Sequence, residues 1–142
     1  MTIAAILRDK GSEVVSLPSD ATLGQAVRLL AERRIGAVPV IDDGTVVGIV
    51  SERDVVYSLA RQGVAALDAP LAQVMTKPVQ QVAPSEPVIG ALSLMTRRRI
   101  RHLPVIDGAR LAGFVSIGDL VKHRIDRIEA EAAAMRDYIQ RG

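Results

Sequence analysis

Two heptapeptides carry the residue types most suited to holding a ligand. GIVSERD spans residues 48 to 54, and GFVSIGD spans residues 113 to 119. In each, an apolar run leads to a hydroxyl, Ser51 or Ser116, and three residues later to a carboxylate, Asp54 or Asp119. Ser with an acid at the third position can cap a helix start, so pure capping is one reading. The other is a ligand site, because a helix N-terminus with free amides is ready to receive an anion. Two details favour the ligand. A capping box prefers Glu or Gln, whose longer arms reach back, whereas Asp stands in both copies. Gly48 and Gly113 also precede the serines by three residues, and a backbone without Cβ admits close approach.

A second chemical feature is TRRRIRH, residues 96 to 102. The chain holds fifteen Arg against three Lys in a net charge of +2. The guanidinium fork suits carboxylates and phosphates, while so small a net charge supplies no strong field for nucleic acid. Arg97 and Arg98 read as a solvated helix end, where cations favour the dipole. Arg101 and His102 sit at the entrance of an expected strand, where phosphate contact is the favoured reading. Aromatic residues make up 2% of the chain, too few for base-stacking platforms. Catalysis is disfavoured: there is no Cys, His102 and His123 are the only histidines, and nothing is spaced as a metal cluster or as a nucleophile with its base. The chain is read as no enzyme. The absence of cysteine fits a reducing compartment. The apolar stretch Ile3–Leu7 is too short for a secretory signal and no run reaches the length of a membrane span, so a cytoplasmic protein is expected.

The elements that must position these residues come from a duplication. A shift of 65 residues lays Thr22–Val56 on Pro87–Val121 without a gap, and 14 of those 35 positions are identical. Leu23, Val27, Leu30 and Ile35 keep helical spacing, as do Ala91, Leu92, Met95 and Ile100 in the copy. AVPVID and HLPVID read as buried strands, with turn signals at Asp42–Gly44 and Asp107–Gly108. VVGIVS and LAGFVS supply the second hairpin strands, and helices start near Glu52 and Ile117. A further short strand is expected before each unit, near Val14–Leu17 and Val79–Val82. Sixty residues make a marginal core, so the two units are expected to pack sheet to sheet as one module. The expected division is a first repeat with an N-terminal segment over 1–61, a linker over 62–70, a second repeat over 71–124 and a helical extension over 125–142. Pro70 suits the start of a short helix from Leu71 to Met75.

These residues together resemble a pair of CBS (cystathionine-β-synthase) domains, a Bateman module of the small free-standing bacterial type. The carriers are VMTKPV, RIGAVPVID and RIRHLPVID, and the two Gly-h-h-Ser-x-x-Asp stretches with h apolar. The resemblance implies an α/β (α+β) fold, two β-α-β-β-α repeats related by a pseudo-two-fold axis, with clefts between them for adenosine nucleotides such as AMP, ADP, ATP or NAD(H). It places ribose binding on Asp54, Ser51, Asp119 and Ser116, where a carboxylate accepting from both ribose hydroxyls makes charge-assisted bonds. It places phosphate binding on Arg101 and His102. Base and backbone contacts fall on Gly36, Ala37, Val38, Pro39, Thr76, Lys77, Val79, Leu103, Pro104 and Ile117. No metal and no obligatory cofactor is implied.

The units differ where it matters. Gly36 and Ala37 stand where the second unit has Arg101 and His102, so phosphate charge comes mainly from unit two and one cleft is expected to bind differently or not at all. Arg53 either reaches a longer dinucleotide or pairs with an acid on the surface. Beyond Asp119, residues Val121, Ile125, Ile128, Ala132, Met135 and Ile139 fall at alternating spacings of four and three, a heptad seam. Helices including 119–139 are therefore expected to form a homodimer. The resulting reading is a regulatory module that senses an adenosine nucleotide and relays energy or redox state to an effector protein. Its alternatives are a structural dimerisation module with disused clefts and, less favoured, a nucleic-acid-binding regulator using the arginine patch.

Overall fold

The computed structural model describes residues 1–141 as one body made of two similar halves. In the first half, helix α2 (Leu23–Arg33) leads into a hairpin of β1 (Ala37–Asp42) and β2 (Thr45–Ser51), followed by α3 (Glu52–Gln62). In the second, α5 (Val88–Arg98) leads to β3 (His102–Asp107), β4 (Arg110–Ser116) and the long α6 (Ile117–Arg141). Two short helices precede the halves, α1 (Ile3–Lys10) and α4 (Leu71–Val74). The duplication persists in backbone detail. Both hairpins keep the same register, with Ala37 opposite Ser51 and His102 opposite Ser116, and a bulge at Val40/Ile41 recurs at Val105/Ile106. Arg34 and Arg99 close their helices in the left-handed region, each at φ 54°.

Branched strand residues fill two cores. Val38, Val40 and Val50 pack with Leu23, Ala26 and Leu30; Leu103, Val105 and Val115 pack with Val88, Ala91, Met95 and Leu120. The expected extra strands shrink to single bridges: Leu17 pairs with Val40 and Val82 with Val105, both parallel. Pro18 and Ala83–Pro84 follow at once, and a residue without an N–H cannot extend a ladder. The stretch expected as a linker, 62–70, contains a 3₁₀ turn over Gly63–Asp68 whose Ala66 is wholly buried in the first core.

The halves are interlocked. Helix α1 precedes the first half in sequence but buries Ile3 and Ile6 in the second core. Helix α4 precedes the second half and buries Leu71 in the first. The exchange is matched bond for bond: the Ile3 amide donates to the Glu86 carbonyl at 2.9 Å, and the Leu71 amide to Ala21 at 2.8 Å. The N-terminal segment thus packs with the repeat that is distant in sequence. Hairpin strands β2 and β4 meet between the halves, and each ends on the serine of its Gly-h-h-Ser-x-x-Asp motif. No described helix is long and apolar enough to cross a membrane.

Candidate ligand cleft

Strand β2 delivers Ser51 to the first turn of α3, and both oxygens of Asp54 are engaged there. Oδ2 accepts from the Ser51 amide at 2.8 Å and from its hydroxyl at 3.1 Å, while Oδ1 accepts from the Thr76 hydroxyl at 2.8 Å. The Ser51 oxygen in turn accepts from the Asp54 amide, which completes a capping box. Contrary to the expectation from side-chain length, Asp54 reaches the capping amide, so the shorter acid is no mark of a ligand. A Cβ on Gly48 would strike the Met75 side chain, and one on Gly113 the Leu7 side chain, so these glycines admit apolar side chains from the exchanged helices.

Beside Asp54 lies an open cleft of about 490 Å³. Its walls come from both halves. Gly36, Ile49 and Ser51–Asp54 belong to the first; Thr76, Pro78, Val79 and Gln80 form the extended run after α4; Arg98, Arg99, Ile100, Arg101 and His102 come from the second. Thr76 is fixed by a two-way backbone bridge to Ile49, at 3.1 and 2.8 Å. Arg53 crosses the cleft and donates through Nη1 to the Arg99 carbonyl at 3.1 Å, so it ties the halves rather than pairing with a surface acid. The lining holds four arginines, Arg53, Arg98, Arg99 and Arg101, against Glu52 and Asp54, a surplus of positive charge. His102 stacks on Phe114 with centroids 5.8 Å apart. Burial pushes its pKa below the usual imidazole value, and the neighbouring Glu52 charge pulls it back only in part. The positive charge of the cleft thus rests on arginine.

The pseudo-equivalent place beside Asp119 is different. Its Oδ2 accepts from the Ser116 amide at 2.8 Å and from Lys10 Nζ at 2.6 Å. Burial raises the carboxyl, but the Lys10 and Ser116 bonds outweigh it and hold the group below the ordinary Asp range. Helix α1 runs on to Lys10, and only a cavity of about 120 Å³ remains beside it, lined by Ile6, Asp9, Lys10, Asp119, Lys122, His123 and Asp126.

Of the residues singled out in the sequence, the structure gathers Gly36, Ser51, Arg53, Asp54, Thr76, Val79, Arg101 and His102 around one cleft. Asp119 lies outside it, against Lys10. Ser116 caps α6, and Ile117 is half-buried on the second core. Ala37, Val38, Pro39, Leu103 and Pro104 turn buried side chains inward, so they have only backbone to offer, and Lys77 is exposed beyond the lining. Ile49, Glu52, Pro78, Gln80, Arg98, Arg99 and Ile100 line the cleft without having been singled out for it. Arg98, expected as a solvated helix end, is exposed and also lines the cleft. The left-handed turn at Arg99 brings that helix end over the other half's motif, a placement that no local pattern announces.

The CBS domain family matches residues 6–61 and again 71–126. The chain belongs to the CBS-domain family. This tandem pair is similar over 87% of its length to a CBS-domain-containing protein from Agrobacterium tumefaciens, at 41% identity, 99% coverage of that chain and a TM-score of 0.85. A CBS domain protein from Pyrobaculum aerophilum complexed with AMP is 30% identical, with 84% of this chain and 89% of that one covered and a TM-score of 0.74. The mitochondrial CBS domain-containing protein CBSX3 of Arabidopsis thaliana is 31% identical over 99% of this chain and 73% of its own length. The expected tandem CBS architecture is the one observed, including the long C-terminal helix.

Proposed function

We propose that this CBS pair is a regulatory module that binds one adenosine nucleotide in the Asp54 cleft and relays its presence to an effector protein. The observation that carries the reading is the meeting, in one cleft, of a helix-capping carboxylate with four arginines drawn from both halves. A volume of about 490 Å³ lies within the range of small-molecule sites. Asp54 Oδ1 takes the ribose hydroxyls by releasing Thr76, Ser51 supports it, and the base lies against Ile49, Pro78 and Val79. Arg99 and Arg101 meet phosphate. Because the walls belong to opposite halves, a ligand that bridges them favours one relative angle of the halves over others, and an effector can read that shift. The complex of the Pyrobaculum relative with AMP makes AMP the first ligand to try, ahead of ADP, ATP and NAD(H).

The competing reading is a scaffold whose clefts are disused, and the two complete Ser–Asp backbone contacts favour it. Calorimetric titration with AMP, ADP, ATP, NAD and NADH, with adenosine as the phosphate-free control, separates the two. One site per chain is expected, with adenosine much weaker than AMP and a raised melting midpoint in excess ligand, by about 2.7 kcal/mol of stabilisation at a hundredfold excess over Kd. Binding of none of these compounds leaves the scaffold.

A further inference from the structure

Helix α6 continues far past the body it caps. Of its 25 residues only Leu120 is buried. Its apolar stripe stays in water: Val121, Ile125, Ile128, Met135 and Ile139 are 42%, 49%, 50%, 59% and 68% exposed. From Arg124 to Arg141 every residue is exposed, so nothing in its own chain packs on the last turns, and most helical stability in proteins comes from packing of an apolar face. The stripe lies about a quarter turn round the helix from Leu120, since successive residues are about 100° apart. One face can therefore sit on the core while the next remains free for another helix.

The charges beside the stripe indicate which helix. Taking Ile125, Ala132 and Ile139 as the a positions and Val121, Ile128 and Met135 as d, the e positions are Lys122, Glu129 and Arg136, and the g positions Arg124, Glu131 and Tyr138. Two copies in parallel set each g residue against the partner's next e residue. That makes Arg124 face Glu129 and Glu131 face Arg136, both opposite in sign, and each occurs twice. Fully overlapped antiparallel helices would set Glu129 against Glu129, Glu131 against Glu131 and Lys122 against Arg136, all repulsive. Among the described residues, α6 makes one ion pair within its own length, Arg127 with Glu131 at 3.2 Å, and Arg124, Glu129 and Arg136 make none.

We propose that the exposed stripe of α6 pairs with α6 of a second copy as a short parallel coiled coil, held in register by Arg124–Glu129 and Glu131–Arg136 contacts between copies.

The full chain tests this directly, since it has no cysteine and a single one can be placed at will. Ile139→Cys, at an exposed position that does not threaten folding, is expected to self-link into a covalent dimer on mild oxidation. Light scattering of the unsubstituted chain is expected to show a dimer that dissociates on dilution. Arg124→Glu alone and Glu129→Arg alone place like charges at two contacts, and each is expected to weaken self-association about tenfold. Mixing the two variants restores it, because the mixed dimer regains both attractive pairs. A monomer at all concentrations overturns the proposal. So does linking of Val121→Cys to Ile139→Cys without self-linking of the latter, which reports antiparallel helices, and so does failure of the mixture to recover.

Discussion

Replacing Asp54 and Asp119 by alanine in turn separates what these residues do for the fold from what one of them does for a ligand. Each carboxylate accepts its serine amide at 2.8 Å, so each variant loses the reciprocal half of a capping box while the serine cap remains. That costs about 0.5–2 kcal/mol. Asp54→Ala also strands the Thr76 hydroxyl, which is exposed and can turn to water. Asp119→Ala also loses Lys10, a partly exposed pair contributing at most about 1 kcal/mol. Both variants are thus expected to lose 1–2 kcal/mol, or about 3–6 °C in melting midpoint for a chain of this size. Their ligand effects should diverge. At Asp54, two charge-assisted bonds to ribose hydroxyls are lost, but the unsubstituted protein must break its Thr76 contact to make them, which offsets about one. The net is about 2 kcal/mol, a thirtyfold rise in Kd for AMP. Asp54→Asn should keep the capping box and the midpoint yet weaken AMP similarly, because an Asn side-chain oxygen can still accept the Ser51 amide but carries no charge. At Asp119, where Lys10 already occupies the carboxylate, Kd should stay within about twofold. Titration calorimetry with melts of the free variants reads both quantities. Equal loss of AMP binding in the two variants, or none in either, refutes the single-cleft reasoning.

Three other outcomes follow from the packing. Ile3→Ala and Leu71→Ala each empty a fully buried position in the core of the other half and should each cost about 3 kcal/mol in urea unfolding; a loss below about 1 kcal/mol for Ile3→Ala would show that α1 is not a core element. Gly48→Ala drives a Cβ into Met75 and should lower the midpoint by about 1–2 kcal/mol of stability while leaving the AMP-induced rise in place; loss of that rise would mean a ligand does rest on Gly48. Asp119, whose carboxyl is depressed below its ordinary 3.8, contributes stability that is full above that pH and drains away as pH falls through the folded value. Lys10→Met should flatten this acid limb of urea-measured stability below about pH 4, and an unchanged limb would deny Lys10 its role.

The duplication, the hairpins and the helix starts were legible because they are written in local spacing: Pro39 and Pro104, Gly48 and Gly113, Ser51 and Ser116 recur at one interval. The carboxylates were legible as a pair, but their fates were not. The serine motif specifies a helix cap, and whether a cleft opens beside it depends on which distant segment arrives there. Ile3 and Leu71 look alike in sequence, as apolar starts of short helices, and nothing local says that each crosses to the other half. Arg98 and Arg99 illustrate the same limit. Their charge is plain, but their facing depends on how the second half is set against the first.

A single residue pair explains why two nearly equal motifs yield one open cleft. Superposing the exchanged helices by their buried residues sets Ile3 on Leu71 and Leu7 on Met75, so Asp9 and Lys10 correspond to Lys77 and Pro78. A residue before proline is driven out of the helical region. Pro78 would also drive its ring against the Val74 carbonyl, so no helix can run through it; α4 has ended at Val74, Met75 is extended at ψ 152°, and Thr76 bridges Ile49 while Pro78, Val79 and Gln80 wall the cleft. At the N-terminus no proline intervenes, so α1 continues until Gly11, at φ 94°, and carries Lys10 onto Asp119. A basic side chain there takes up the carboxylate oxygen, and only about 120 Å³ remains open beside it. Asp9→Lys with Lys10→Pro, which copies the sequence of the open side, should therefore end α1 early and release Asp119. The expected readout is a second, weaker AMP site in the titration, and continued binding of a single equivalent would show that something other than the helix end keeps that side closed.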